Sequence, residues 1–181
     1  LLRNGDKMLS EDDGKYLLEI AKDAIETYVC ENKKIDAPSD CPDHLKEELG
    51  VFVTLNKNHY LRGCIGYPEP VFPLINATID SAISAATRDP RFPAIREEEL
   101  GRLAISVDVL GQAQPVSSLE ELDVKRYGVI AEKGWRRGLL LPDLEGVDTV
   151  EYQVAIARRK AGIGDHEKGV QLYRFEVIRH E

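Results

Sequence analysis

Residues 51–66 constrain the fold more than any other part of this sequence. Two strand-like runs, 51–55 and 60–65, flank the polar segment 56–59, which has the length of a hairpin loop. The second strand carries the hexapeptide LRGCIG at residues 61–66. A guanidinium, a thiol and two glycines side by side are unusual in a strand that only packs against a core. The segment therefore predicts an antiparallel hairpin with a chemically unusual second strand.

The hexapeptide has two faces, because side chains alternate along a strand. A guanidinium next to a thiol on one face would stabilise the thiolate if water reaches that face. Cys64 and Arg62 are therefore the candidate catalytic residues. The alternative is that Cys64 is an inert core thiol, since free cysteine is often fully buried. Alternation predicts Arg62, Cys64 and Gly66 on one face and Leu61, Gly63 and Ile65 on the other.

The rest of the chain reads as strands interrupted by single helices. Ser10 precedes acidic residues and a helical apolar pattern that runs to Tyr28, which predicts an N-capped amphipathic helix. Short links between strands favour an α+β fold, with an antiparallel sheet and flanking helices, over a doubly wound sheet. Further elements are predicted as a helix at 74–86, a helix that the capping-box pattern 148–151 opens and that runs to residue 161, strands at 103–109 and 172–178, and a hairpin at 128–141.

Composition narrows the class of protein. The chain has 181 residues, enough for one core with a small appended lobe, and no apolar run reaches the ~20 residues that a membrane-spanning helix needs. The net charge of −8 disfavours nucleic-acid binding, which depends on clustered Lys and Arg. Three cysteines are an odd number and fit no disulfide framework. We expect a cytoplasmic protein with reduced thiols and no membrane segment.

Outside the hexapeptide, few residues indicate a catalytic or metal-binding site. A nucleophilic thiol needs a base, and His59, in the hairpin loop, is the nearest histidine along the chain. Cys41 and His44 have the spacing of one half of a metal site, but no second pair follows, so no metal or cofactor is predicted. Asp89 and Arg91 either tie the turn after the second helix to the sheet or contact a substrate.

Five motifs in one order and spacing resemble the AMMECR family. The hexapeptide is the hallmark of that family, and the resemblance extends over about residues 10–180. It implies one AMMECR-type domain over residues 1–181. The motifs lie at residues 50–55, 61–66, 89–93, 138–142 and 160–163.

The resemblance also implies an arrangement. A larger subdomain would hold both termini, and a smaller α+β subdomain within 111–165 would face it across a cleft. Most side chains of the hexapeptide would point to that cleft, whereas Asp108 stands where relatives are expected to carry serine. The candidate binding residues are Leu61, Gly63, Ile65, Gly66, Asp89 and Arg91.

The resemblance to the AMMECR family also implies partner proteins, but it implies no established reaction. Relatives are linked to a MEMO-type protein and a radical-SAM protein, as component A of a three-protein system. The favoured hypothesis is a binding or scaffold protein that acts with those two. The alternatives are a thiol-dependent enzyme that uses Cys64 and Arg62 on a large or peptide-like substrate, and a metal or redox centre gathered at Cys64. Whether the protein is an enzyme is left open.

Overall fold

The computed structural model describes residues 9–181, and these form three α-helices and seven β-strands. The mixture of helices and antiparallel strand pairs confirms the predicted α+β class. Three short 3-10 helices lie at Asp43–Lys46, Glu97–Arg102 and Leu119–Glu121. The elements are α1 (Glu11–Glu31), β1 (Gly50–Lys57), β2 (Tyr60–Tyr67), α2 (Leu74–Thr87), β3 (Leu103–Leu110), β4 (Gln114–Val116), β5 (Tyr127–Lys133), β6 (Arg136–Leu140), α3 (Val150–Lys160) and β7 (Gln171–His180).

The chain divides into two compact units. Unit 1 consists of Leu1–Val109 and Ile178–Glu181, of which residues 9–109 and 178–181 are described, and unit 2 is Leu110–Val177. Each unit combines strands with at least one helix. The smaller subdomain expected within 111–165 and the cleft implied by the family resemblance both remain predictions.

In unit 1 a sheet is covered on one side by α1 and α2. The strand order is β2-β1-β3, followed by the last residues of β7, so that β2 lies at the edge. Alternate residues of β1 point to the helices. They are aliphatic and fully buried, because removing apolar side chains from water stabilises the fold. Val107 and Val109 of β3 join the same core. The buried β1 residues are Val51, Val53 and Leu55.

Gly63 lets α2 approach the edge strand closely. A Cβ atom at this position would lie 2.1 Å from the carbonyl oxygen of Ala85, a distance that no real Cβ contact tolerates. The close approach that this glycine permits is therefore to the backbone of α2. The space beside Gly63, one of the candidate binding residues, is thus filled by helix α2 of the same unit.

The ends of α1 follow the local rules of helix formation. Ser10 accepts a hydrogen bond from the backbone N–H of Asp13, and Asp13 accepts one from the backbone N–H of Ser10. The predicted N-cap is therefore confirmed. Asn32 ends the helix in a left-handed conformation, with φ of 54°.

Unit 2 is built on a second antiparallel sheet. Strands β4 and β5 both pair with β7, and β6 pairs with β5. Helix α3 packs against this sheet through Val154 and Ala157, and Thr149 caps it by accepting a hydrogen bond from the backbone N–H of Tyr152. The predicted second hairpin and third helix are confirmed. Strand β4 was not predicted, because three residues that include Pro115 carry too little alternation to indicate a strand.

Candidate functional site

Arg62 lies in an ion-pair network with Glu99. Its Nε and Nη2 donate to the two carboxylate oxygens of Glu99 at 3.2 and 3.1 Å, and its Nη1 donates to the carbonyl of Pro93 at 2.8 Å. Lys57 donates to the same carboxylate at 2.6 Å. These hydrogen bonds, from Arg62 first and Lys57 second, lower the pKa of Glu99 to about 2. The charge of Arg62 is therefore balanced by Glu99, which accounts for this arginine structurally.

Cys64 is half-buried and hydrogen-bonded to a hydroxyl. Thr54, its cross-strand neighbour on β1, donates from Oγ1 to the Cys64 sulfur at 3.2 Å. Within residues 9–181 this hydroxyl is the hydrogen-bond partner of the sulfur, and no histidine or carboxylate occupies that place. The other two thiols differ, because Cys30 is exposed on α1 and Cys41 is buried.

Asp89 and Arg91 tie the turn after α2 to the hexapeptide. The Asp89 carboxylate accepts hydrogen bonds from the backbone N–H of Cys64 at 2.9 Å and of Arg91 at 3.0 Å. The guanidinium of Arg91 donates to both oxygens of Asp89 and to the carbonyl of Cys64. The predicted structural role of the pair is confirmed. The Arg91 guanidinium and the two backbone amides hold the pKa of Asp89 far below its usual range, although burial opposes this shift.

Asp108 forms a second pair of the same kind with Arg179. Nε and Nη2 of Arg179 donate to the two carboxylate oxygens at 2.7 and 2.9 Å. The Asp108 side chain is only 3% exposed, whereas that of Arg179 is 58% exposed. Asp108 is therefore buried and paired with Arg179, and it is neither a partner of Arg62 nor a solvated residue. The two partners lie 71 positions apart, so no local pattern signals the pair.

Thr54, Cys64 and Asp108 share the face of the unit 1 sheet that is turned away from the helices. On β1 and β3 the residues next to the core positions point to this side, which places Thr54 and Asp108 there together with Cys64. We call this surface the Cys64 face and define it by Thr54, Cys64, Asp108 and Arg179, with Arg91 beside it.

Two arginines, Arg91 and Arg179, lie on or beside the Cys64 face and are each paired with a buried carboxylate. Hydrogen bonding to Asp89 raises the pKa of Arg91, and hydrogen bonding to Asp108 raises that of Arg179; in both cases Cys64 adds a smaller contribution in the same direction. Arg91 also donates to the carbonyl oxygen of Cys64 at 3.4 Å, so its positive charge lies beside this residue. Arg62 was the expected source, but its guanidinium is bound to Glu99.

His59 is placed at the end of the hairpin. Asn58 and His59 form the two-residue turn between β1 and β2, with φ of 52° and 68°, as a type I′ turn requires. His59 and Cys64 are five positions apart along the strand, a distance of roughly 16 Å. His59 is therefore too far along the strand to act as the base for this thiol.

The remaining hexapeptide residues lie in different environments. Leu61 is exposed near the hairpin turn, and Ile65 packs against the helical core. Gly66 crosses close to β1, since a Cβ there would lie 2.2 Å from the carbonyl oxygen of Val51. The structure thus brings Cys64, Asp89 and Arg91 together, while Leu61 and Ile65 lie elsewhere. The binding roles predicted for these residues stay predictions.

A cavity of about 650 Å³ opens at the hairpin end of the unit 1 sheet. It does not include Cys64. Among residues 9–181, no group of three His, Cys, Asp or Glu side chains is arranged to hold a metal ion. The cavity is lined by Asn56, Asn58, His59, Arg102, Ala104, Ile105, Ser106 and Glu181.

Comparison with known proteins decides the family. A family model described as AMMECR1 matches residues 18–180, which is most of the chain. This chain belongs to the AMMECR1 family. The resemblance inferred from the five sequence motifs is thereby confirmed at the level of the family.

Relatives of this AMMECR1-family protein match it along nearly its whole length. A Thermotoga maritima protein is 51% identical over 160 residues, covering 87% of this chain and 92% of the relative. A Methanothermobacter thermautotrophicus protein is 43% identical over 186 residues, covering 96% of each. The crystal structure of an uncharacterized protein from Pyrococcus horikoshii matches with a TM-score of 0.83 at 36% identity, covering 94% of this chain and 92% of that one. These comparisons establish family and fold, and they name no reaction.

No helix within residues 9–181 is long and apolar enough to cross a membrane.

Proposed function

We propose that this AMMECR1-family protein is a binding or scaffold protein that acts with a MEMO-type protein and a radical-SAM protein in the cytoplasm. The identity of the two partners comes from the family resemblance. The Cys64 face is the proposed docking surface. It combines a half-buried thiol with two guanidiniums that are more than half exposed, at Arg91 and Arg179.

The observation that carries this proposal is the hydrogen bonding around the thiol. Thr54 donates a hydrogen bond to Cys64, and Asp89 and Asp108, two carboxylates described on or beside this face, are each bound by an arginine. A catalytic thiol requires a neighbouring base to accept its proton or a third group that orients such a base. Among the described residues, the face therefore offers hydrogen-bond donors, which serve recognition, and no base free to accept the proton of the thiol.

Site-selective labelling tests the proposal. In a Cys30→Ser background, a bulky maleimide on Cys64 covers the face, and we expect the affinity for the MEMO-type or radical-SAM protein of the same organism to fall at least tenfold in calorimetric titration. The matched control is the Cys64→Ser variant labelled at Cys30, which lies on α1 and should bind normally. Unchanged affinity after Cys64 labelling, or no binding of either protein, would overturn the proposal.

The second candidate is a thiol-dependent enzyme that acts on a large or peptide-like substrate. It would use the thiol of Cys64, and the observation that favours it is the guanidinium of Arg91, which donates to the carbonyl oxygen of Cys64 at 3.4 Å. The catalytic role predicted for Arg62 stays a prediction. Unlabelled Cys64→Ser separates the two functions. A scaffold keeps its partner affinity and its effect on the partner's activity, whereas an enzyme keeps the affinity and loses the effect.

A further inference from the structure

We propose that the cavity at the hairpin end of the unit 1 sheet binds a small molecule that carries both a carboxylate and an ammonium group, as a free amino acid does. We call it the hairpin cavity. All of its lining residues belong to unit 1, and Cys64 is not among them. The inference therefore goes beyond the proposed function, because it assigns a ligand site that needs neither the thiol nor a partner protein.

The hairpin cavity lies on the same side of the sheet as the Cys64 face. Asn56 follows Thr54 by two residues on β1, and Ser106 precedes Asp108 by two residues on β3. Because side chains alternate along a strand, both residues point away from the helices. Glu181, directly after β7, lines the cavity as well. Three separate parts of the chain therefore contribute polar groups to one wall.

The polar side chains of the hairpin cavity are without partners. On the neighbouring Cys64 face, by contrast, Thr54 and Asp108 are each hydrogen-bonded. Six polar side chains line the cavity, and within residues 9–181 none of them forms a hydrogen bond or an ion pair. Free donors and acceptors in the wall of a cavity are available to a ligand. They belong to Asn56, Asn58, His59, Arg102, Ser106 and Glu181.

Ser106 is the observation that points most directly to a ligand. The residue is only 7% exposed, and its hydroxyl has no hydrogen-bond partner within the described part of the chain. A hydroxyl removed from water without a hydrogen bond destabilises a fold, so native structures supply it with a partner. Because Ser106 lines the cavity, a molecule bound there can supply that partner.

The charges in the wall define the class of ligand. Arg102 has no ion-pair partner among residues 9–181, whereas Arg91 and Arg179 are each bound to a buried carboxylate. A free guanidinium pairs best with a carboxylate or another oxyanion. Glu181 adds a negative charge to the same wall, which attracts an ammonium group and repels a phosphate dianion. One positive and one negative group together match a zwitterion.

The size and the remaining lining of the cavity fit an amino acid. Its volume of about 650 Å³ is within the range of pockets that hold small molecules. Ala104 and Ile105 add apolar surface, which suits a hydrocarbon side chain. We therefore expect an amino acid with an apolar side chain to bind better than one with a charged side chain.

Side-chain amide signals in isotope-labelled protein measure binding directly by NMR. Each of the common amino acids is added singly at millimolar concentration, and we expect at least one with an apolar side chain to shift the amide signals of Asn56 and Asn58. Asn32 and Asn76 lie outside the cavity and are the internal controls, so their signals should not move. If no amino acid shifts the signals of Asn56 and Asn58, the inference is overturned.

Substitutions at exposed positions test the site without disturbing the core. Arg102→Gln and Glu181→Gln should each raise the dissociation constant at least roughly fivefold, because a unit charge about 4 Å away in water changes an equilibrium about fivefold. Ala104→Phe places a ring in the cavity and should abolish binding. Lys22→Gln, on α1 at the other side of the sheet, is the control for net charge and should bind normally. Unchanged affinity in Arg102→Gln and Ala104→Phe would overturn the inference.

Derivatives of the amino acid that binds best identify the groups that are recognised. The N-acetyl derivative lacks the ammonium group and the amide derivative lacks the carboxylate, so each should bind at least roughly fivefold more weakly than the parent amino acid. Inorganic phosphate at the same concentration should bind more weakly still. Equal affinity for the N-acetyl derivative, or tighter binding of phosphate, would overturn the assignment to a zwitterion.

Discussion

The carboxylate of Asp89 accepts a hydrogen bond from the backbone N–H of Cys64 at 2.9 Å, and this contact joins the turn after α2 to the edge strand of unit 1. Arg91 donates to the carbonyl of the same residue. Together the two side chains satisfy both main-chain groups of Cys64, as a neighbouring strand would. An edge strand protected in this way is less exposed to pairing with another chain.

Glu99 should make stability depend on pH in the acid range. Because its pKa is lowered from 4.5 to about 2, folding favours the charged form. The stabilisation is complete above pH 4.5, decreases as the pH falls to 2 and is absent below that. We expect Glu99→Gln to lower the free energy of unfolding by about 2–4 kcal/mol at pH 7 and by much less at pH 2, measured by urea unfolding.

The neighbouring Glu98 supplies the control for this prediction, since its side chain is largely exposed. Glu98→Gln should change the unfolding free energy by less than about 1 kcal/mol at either pH. The same pH dependence in the two variants would contradict the role assigned to Glu99.

Gly63→Ala should destabilise unit 1 strongly. The added methyl group would meet the carbonyl oxygen of Ala85 at 2.1 Å, so that α2 or β2 must move. We expect a loss of at least ~2 kcal/mol in the free energy of unfolding. Gly101→Ala is the matched control, because a Cβ there meets no atom within 4 Å. Equal thermal unfolding midpoints for the two variants would show that the predicted clash is absent.

Thr54→Val should reduce the reactivity of Cys64. The substitution keeps the shape of the side chain and removes the hydroxyl that donates to the sulfur at 3.2 Å. Since a hydrogen bond to the thiolate favours it, we expect the rate of iodoacetamide alkylation at pH 8 to fall roughly threefold to tenfold. Thr54→Ser retains the hydroxyl and should react at nearly the parent rate. If serine and valine variants react alike, the hydroxyl has no part in the reactivity.

His59→Gly should stabilise the hairpin and leave Cys64 unaffected. Position 59 has a φ of 68°, which glycine adopts more easily than histidine, and Asn-Gly is the preferred pair in a type I′ turn. We expect a gain of about 0.5–1 kcal/mol in the free energy of unfolding. The alkylation rate of Cys64 should not change, because the imidazole lies several residues away along the strand. A slower rate would restore His59 as a candidate base.

Sequence patterns predicted the helices, most strands and both hairpins because their signals are local. Caps, apolar periodicity and turn residues act within a few positions of each other, as at Ser10 for α1. The structural role of Asp89 and Arg91 was also accessible, since the two residues are neighbours in a turn. The short strand β4 was missed because its pairing with β7, far along the chain, defines it.

The amino-acid sequence alone determined the family, the α+β class and Cys64 as the residue of interest, since these depend on motifs and spacing within short segments. Only the tertiary structure decided which charges surround that thiol. Arg62, two residues away, is bound to Glu99. Asp108 is paired with Arg179, which lies 71 positions further along the chain. An ion pair depends on distance in space, and a buried carboxylate pairs with whichever cation the fold brings to it.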